Sequence, residues 1–284
     1  MLRHAGRPTP AGLVLHRCDT PTEPMPSQSA PVFALVAQGA KRATLGTKLF
    51  AYGAGQFIVA SMELPVIAHV SEASPNAPYL VLGLTLRPQL IAGLLLDAPP
   101  PARGGPAPGV TVSTADDDLL DAVLRLMRLL DRPHDQRVFW AATEREVIWR
   151  LLTGEQGSTV RQVGHGDPNT VQIERAIRWI REHHADLFRV EDAARVAGMS
   201  PTSFHRHFRA VTMMTPIQFQ KVIRLQEARA RLISSSGNVA AVGFAVGYES
   251  ASQFSREYRR LFGVPPGKDA ARLSQLSSGQ HAEV

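Results

Sequence analysis

Two stretches of the C-terminal third repeat each other in register. Gly198-Met-Ser-Pro-Thr-Ser-Phe-His-Arg-His-Phe208 is matched by Gly247-Tyr-Glu-Ser-Ala-Ser-Gln-Phe-Ser-Arg-Glu-Tyr258. Phe204 pairs with Phe254, Arg206 with Arg256, Phe208 with Tyr258 and Pro216 with Pro266, each 50 residues apart, while the glycines are 49 apart. The second turn therefore holds one extra residue. Before each glycine lies a short helical pattern, over residues 190–197 and 239–246. After it comes a second helix that Ser200 or Ser250 can cap, with an aromatic pair at i, i+4. Short helix, turn and second helix is the helix-turn-helix unit, and a chain with two copies in register must build both.

The spacing assigns faces. Phe204/Phe208 and Phe254/Tyr258 fall on the stripe that packs each second helix against the first. Ala194, and Gly243 in the other copy, stand where the two helices cross and need small side chains. The opposite face carries Thr202, His205, Arg206 and Arg209 in the first copy, and Ala251, Ser252, Ser255, Arg256 and Arg259 in the second, with Ser200 and Arg260 added as expected DNA contacts. Short polar groups and arginines suit hydrogen bonds to base edges and phosphates in a major groove. Arg206 and Arg256 are the base-reading candidates, with Thr202, His205, Ser252 and Ser255 beside them. Arg195, Arg209, Lys221, Arg259 and Arg260 read as phosphate contacts or solvated charges. Residues 217–233 read as one helix connecting the units, so that two recognition helices can meet double-stranded DNA about one turn (~34 Å) apart.

The charge falls in the same place. The chain has 284 residues and a net charge of +6, and residues 189–272 alone carry 13 basic against 6 acidic side chains. That length suits two domains. Fifteen of the 21 prolines precede residue 111, and the Gly-rich, polar stretch 153–169 reads as a linker. The expected layout is a flexible N-terminus (1–12), a sensing domain (13–152), the linker, a double helix-turn-helix (170–272) and a flexible tail (273–284). Asn169 and Thr170 are candidate caps of the first C-terminal helix. No apolar run approaches the ~18 residues of a membrane span, and the first dozen residues lack a signal-peptide pattern. A cytoplasmic, nucleoid-associated protein is the expectation, with no membrane partner. One cysteine, Cys18, excludes an internal disulfide framework and reads as inert packing or as a lone redox thiol.

The N-terminal part reads as short strands: 32–38, which resembles a strand buried on both faces, then 42–45, 48–52, 56–60, 66–70 and 79–86. Turns at Gly39, Gly46 and Gly53-Ala-Gly55 fall at hairpin spacing. The fold class expected is α+β in two domains: an antiparallel barrel with accessory helices, then an all-α part. Pro88 starts a helix to Leu96, and 97–109 is a Pro/Gly loop. A further helix, capped by Ser113 or Thr114, carries Leu119, Leu120, Val123, Leu124, Met127 and Leu130. It precedes one over 135–152. Both read as a cover for the open face of the sheet, and the leucine-rich one also as a dimer contact. Phe33, Leu35, Phe57, His69 and Tyr79 are the candidates for an effector pocket.

The repeat resembles the DNA-binding domain of AraC/XylS-family transcription regulators. The likeness rests on Ala193-Ala-Arg-Val-Ala-Gly-Met-Ser-Pro201, Phe204-His-Arg-His-Phe208, Arg224-Leu…Ala228 and Val246-Gly-Tyr…Leu261-Phe-Gly-Val-Pro-Pro266. The N-terminal part is similar to the cupin-like domain of one AraC subgroup, through Val36-Ala-Gln-Gly-Ala-Lys-Arg, Leu45-Gly46, Leu64-Pro65 and Glu72-Ala-Ser-Pro75. The resemblance implies sequence-specific promoter or operator binding, a small-molecule effector, a possible homodimer, and RNA polymerase as partner of an activator. The family usually has glycine between the first recognition helix and Thr-Pro. The second copy keeps it as Gly263, whereas the first has Met213, which costs roughly 1 kcal/mol or more if left-handed.

Catalysis finds no constellation. A metal cupin needs clustered His and Glu, yet residues 30–90 hold one histidine, His69. His183-His184 and His205/His207 lack zinc-site spacing, and Gly53-Ala-Gly55-Gln-Phe-Ile lacks the third glycine of a nucleotide loop. No metal and no cofactor are expected. Two other readings stay open: a cupin-type enzyme with a DNA-binding tail, and an architectural DNA binder with a purely structural N-terminal domain.

Overall fold

The computed structural model describes residues 9–27, 31–100, 107–164, 168–234 and 238–272. The flexible ends expected at 1–12 and 273–284 fall outside these residues, apart from 9–12. The chain divides into two compact units, with the main boundary between Val171 and Gln172.

The first unit contains nine strands among the described residues. They are β1 (Leu13–Cys18), β2 (Met25–Ser27), β3 (Val32–Gln38), β4 (Ala40–Leu45), β5 (Lys48–Gly53), β6 (Gln56–Ala60), β7 (Val66–Glu72), β8 (Tyr79–Thr85) and β9 (Val110–Thr114). The barrel is two antiparallel sheets rather than a closed ring, one ordered β1-β8-β3-β6-β9 and the other β2-β7-β4-β5. Of the expected hairpins, only the turn at Gly46 joins hydrogen-bonded neighbours, with Leu45 opposite Lys48. The turns at Gly39 and Gly53–Gly55 instead carry the chain from one sheet to the other, because β3 pairs with β6 and β8 while β4 and β5 pair with each other.

Helices α1 (Pro88–Leu95), α2 (Asp117–Arg128), α3 (Pro133–Thr153) and α4 (Gly157–Gly164) belong to the same unit. Phe33, Leu35, Phe57, Val59, Leu82 and Leu84 of the five-stranded sheet form one core with Ile91, Leu119, Val123, Leu126, Val147, Ile148, Leu151 and Val160. The helices do cover a sheet face. On α2 the buried positions are Leu119, Ala122, Val123 and Leu126, whereas Leu124 is exposed. Asp116, not Ser113 or Thr114, caps this helix, accepting from the Leu119 N–H at 2.8 Å. Ser113 and Thr114 are the end of β9. The stretch expected to be an unstructured linker holds α4. Its short apolar stripe and terminal glycines give little local helix signal, and tertiary packing of fully buried Val160 supplies the rest.

The second unit is helical. Its main elements are α5 (Pro168–Glu182), which starts in the first unit, then α6 (Val190–Ala197), α7 (Pro201–Thr212), whose end from Arg209 falls in the first unit, α8 (Pro216–Ser234), α9 (Val239–Ala245) and α10 (Ala251–Phe262). Asn169 and Thr170 lie inside α5 rather than capping it. The repeat is carried out in three dimensions. The ring centroids of Phe204 and Phe208 lie 5.2 Å apart in a tilted pair, those of Phe254 and Tyr258 5.6 Å apart edge to face, and all four residues are fully buried. A Cβ on Gly243 would meet Phe254 Cδ1 at 2.9 Å, so α9 and α10 touch where only glycine fits. Connector α8, with 19 residues, is about 28 Å long.

Met213 is the only non-glycine with positive φ among the described residues, at 59°, against 79° for Gly263. The left-handed position is therefore real in both copies. Strain of about 1–2 kcal/mol at Met213 exceeds the ~0.5–1 kcal/mol of chain freedom that a glycine forfeits. Met213→Gly is expected to raise the urea midpoint by up to about 1 kcal/mol of stability, and Gly263→Ala to lower it by a similar amount. A fall in midpoint for Met213→Gly would show that packing of the half-buried methionine outweighs the strain.

Candidate nucleic-acid interface and a cavity between the sheets

On α7, Thr202, His205, Arg206 and Arg209 are exposed, as is Ser200 just before it. On α10, Ser252, Arg256, Arg259 and Arg260 are exposed and Ser255 is half-buried. The Ser200 hydroxyl accepts from the Ser203 N–H at 3.3 Å, and Ser250 does the same for Gln253 at 3.5 Å. The Ser252 hydroxyl lies 2.8 Å from that of Ser250, so it belongs partly to the cap. Arg206, Arg209, Arg256, Arg259 and Arg260 make no ion pair among the described residues, while Arg195, Lys221, Arg229, Arg231 and Arg272 do. The recognition faces thus hold cations that no carboxylate has claimed.

Lys221 departs from the phosphate-contact expectation. Its ammonium sits 3.0 Å from Glu257, joining α8 to α10. The same carboxylate accepts from the Tyr248 hydroxyl at 2.9 Å. Burial alone would raise the Glu257 pKa, but these donors hold it below the usual carboxylate value. Arg195 is likewise paired, 3.0 Å from Asp192 one helical turn away. Arg224, noted in sequence only for the resemblance, donates to the His184 carbonyl at 2.6 Å and the Asp186 carbonyl at 2.9 Å. It fastens the connector to the segment before α6. These roles depend on tertiary partners tens of residues away, which helical spacing alone does not reveal.

In the first unit a cavity of about 410 Å³ lies between the two sheets. Its walls are small: Ala34, Ala43, Ala60, Ala68 and Gly83, with Val14, Val32, Ile58 and Val81. These share one parity of the ladders, with Ala34 opposite Gly83 and Ile58, Val32 opposite Ala60, and Ala43 opposite Ala68. Of the five pocket candidates only Tyr79 lines it. Phe33, Leu35 and Phe57 point the other way, into the core beneath the helices. His69 is opposite Arg42, one position off the inward parity of Ala68 and Val70. The cavity exists because the bulky side chains of β3 and β6 were used on the helix side.

The polar groups of the cavity are few. Lys41 and Tyr52 are directly opposite each other on β4 and β5, and both line it. Burial lowers the Lys41 pKa. Burial also raises Tyr52 and Tyr79, with Tyr52 and Cys18 adding to the rise at Tyr79. The Tyr79 hydroxyl is buried with no hydrogen-bond partner. Lys41 and Tyr52 were missed in sequence, although Lys41 shares parity with Ala43 and Leu45, and that was the available signal. Cys18 donates to the Thr20 carbonyl at 3.0 Å. Among the described residues no group of three or more His, Cys, Asp or Glu could hold a metal ion. No described helix is long and apolar enough to cross a membrane.

Comparison with known proteins fits both halves. Residues 10–159 match the AraC-type transcriptional regulator N-terminus, and residues 193–272 match a helix-turn-helix domain. The chain belongs to the AraC family of transcriptional regulators. Relatives include the transcriptional regulator ArgR of Pseudomonas aeruginosa, 26% identical over 147 residues, 51% of this chain and 44% of ArgR. The transcriptional activator RhaS of Escherichia fergusonii is 27% identical over 163 residues, 55% of this chain and 58% of RhaS. The chain thus matches only about half the length of these curated relatives. An apo ToxT variant from Vibrio cholerae shares the fold at a TM-score of 0.52 and 9% identity, covering 94% of this chain and all of that one.

Proposed function

We propose that this AraC-family chain is a sequence-specific, DNA-binding transcription regulator whose N-terminal unit senses a small effector. The observation that carries it is the pair of exposed recognition faces, each with arginines that no carboxylate pairs among the described residues, built by the same turn and i, i+4 aromatic pair. Arg206 and Arg256 read bases, Arg209, Arg259 and Arg260 hold phosphates, and Thr202, His205 and Ser255 add hydrogen bonds. Lys221 drops from the phosphate set because Glu257 claims it. The cavity supports a sensing role over a purely structural one, since a domain serving only as scaffold would gain stability by filling it. Homodimerisation, RNA polymerase contact in an activator, no enzymatic activity and a cytoplasmic location complete the proposal and rest on family membership.

Footprinting of genomic fragments retained by the full chain tests it. Two protected patches about one helical turn (~10 base pairs) apart are expected. Retention with no preferred sequence would sink the regulator reading. Arg259→Ala is expected to weaken binding similarly on all sequences and to reduce the slope of log affinity against log salt by about 1. An unchanged slope would remove Arg259 from the phosphate contacts.

A further inference from the structure

The cavity between the sheets has an electrostatic gap at one place. Lys41 makes no hydrogen bond or ion pair among the described residues, and burial is the only cause that perturbs it, with no carboxylate acting on it. The Tyr79 hydroxyl, which lines the same space, is a buried donor with no acceptor. Tyr52, the cross-strand neighbour of Lys41, adds a second hydroxyl-bearing side chain to the wall. Two of these groups are donors lacking a partner, an ammonium and a phenol, and a desolvated polar group without a partner is costly. The rest of the wall is alanine, valine, isoleucine, leucine, methionine, proline and glycine, apart from Ser27 and Thr85. The volume of about 410 Å³ lies within the usual ~300–1,000 Å³ range of small-molecule sites.

We propose that the cavity takes an apolar small molecule bearing one carboxylate, the acid bound through Lys41 and Tyr79 and the hydrocarbon body against the alanine-lined faces of both sheets. A neutral molecule would leave the ammonium without a counter-charge, and a cationic one would add to it. An acid supplies the missing charge and acceptor together. This inference deepens the regulator reading and rests on it for its biological use, but the binding chemistry stands on the cavity alone.

The experiment uses the full chain and straight-chain carboxylates of about six to twelve carbons, a length range suited to a cavity of this size, each beside its matched alcohol and amine. Binding is followed by titration calorimetry and by the rise in melting temperature. At least one carboxylate is expected to bind about 10- to 100-fold tighter than its alcohol, the amine weakest of the three. Lys41→Met keeps an apolar stem in the wall and is expected to bring acid and alcohol to within about threefold. Tyr79→Phe removes only an unpartnered hydroxyl, so the fold survives, and the acid is expected to lose more affinity than the alcohol, because a hydrogen bond to a charged acceptor is the stronger one. Equal binding of acids and alcohols, no binding by any of them, or a full acid preference in folded Lys41→Met would overturn the proposal. DNA retention measured on the same preparation without acid separates the two readings. Retention with no acid preference sinks only the carboxylate site, and acid binding with no DNA retention sinks only the regulator.

Discussion

Replacing Asp269 by alanine is expected to destabilise the C-terminal unit by about 3–5 kcal/mol, the largest single-residue effect we foresee. Asp269 is fully buried and collects four donors: Arg229 Nε at 2.8 Å and Nη2 at 3.3 Å, the Tyr258 hydroxyl at 2.8 Å, and Arg272 Nη2 at 2.9 Å. Arg229 itself is 1% exposed and lies over the Phe262 ring. Without the carboxylate, a guanidinium stays in the interior having lost its buried counter-charge at 2.8 Å. The cost is therefore mainly that of a desolvated charge losing its ion-pair partner, not of the lost attraction alone. That distinction is testable, because Arg229→Met combined with Asp269→Leu removes both charges and should recover most of the loss. The readout is urea unfolding followed by the fluorescence of Trp179, the sole tryptophan of this unit, in a Trp140→Phe/Trp149→Phe background. A double variant as unstable as Asp269→Ala would show that shape, not charge, governs this corner.

The network also links stability to reading. Tyr258 is the second ring of the aromatic pair on α10, so the helix that presents Arg256 is held from its buried side by Asp269. Burial and then the hydrogen bond to Asp269 push the Tyr258 pKa above its ordinary value, so this phenol donates throughout the physiological range.

What could be read from sequence divides along physical lines. The two helix-turn-helix units were legible because their determinants are local: a turn glycine, an i, i+4 aromatic pair, a capping serine. Even the strained Met213 announced itself by comparison with Gly263. The sheets were legible as strands but not as faces. The run from Val32 to Ala37 is apolar at both parities, so nothing local says which side meets helices and which a cavity. Phe33 and Leu35 read as inward-facing and so as pocket candidates, whereas the side they face is the densely packed core beneath the helices, which leaves Val32 and Ala34 to the open side. β1, β2 and β9 were missed altogether. β1 pairs with β8, and β9 with β6, at separations that periodicity within a short window does not detect. Similarly, the cap of α2 sits two or three residues beyond the serine and threonine chosen, because those residues finish a strand first.

Removing both base-reading arginines together, Arg206→Ala with Arg256→Ala, is expected to cost about 2–6 kcal/mol of specific affinity, or roughly 30- to 10⁴-fold. Each should contribute about 1–3 kcal/mol, and their effects should add because they sit on different helices with no shared partner. The fold should be indifferent, since both side chains are exposed and neither makes an ion pair among the described residues. The measurement compares the footprinted site with a scrambled duplex at one fixed salt concentration. Phosphate contacts from Arg209, Arg259 and Arg260 remain, so binding to the scrambled duplex should fall far less. The specificity ratio should collapse while residual, salt-sensitive binding persists. Equal losses on both duplexes would make these arginines phosphate contacts, and the base reading would then have to come from the short polar groups between them.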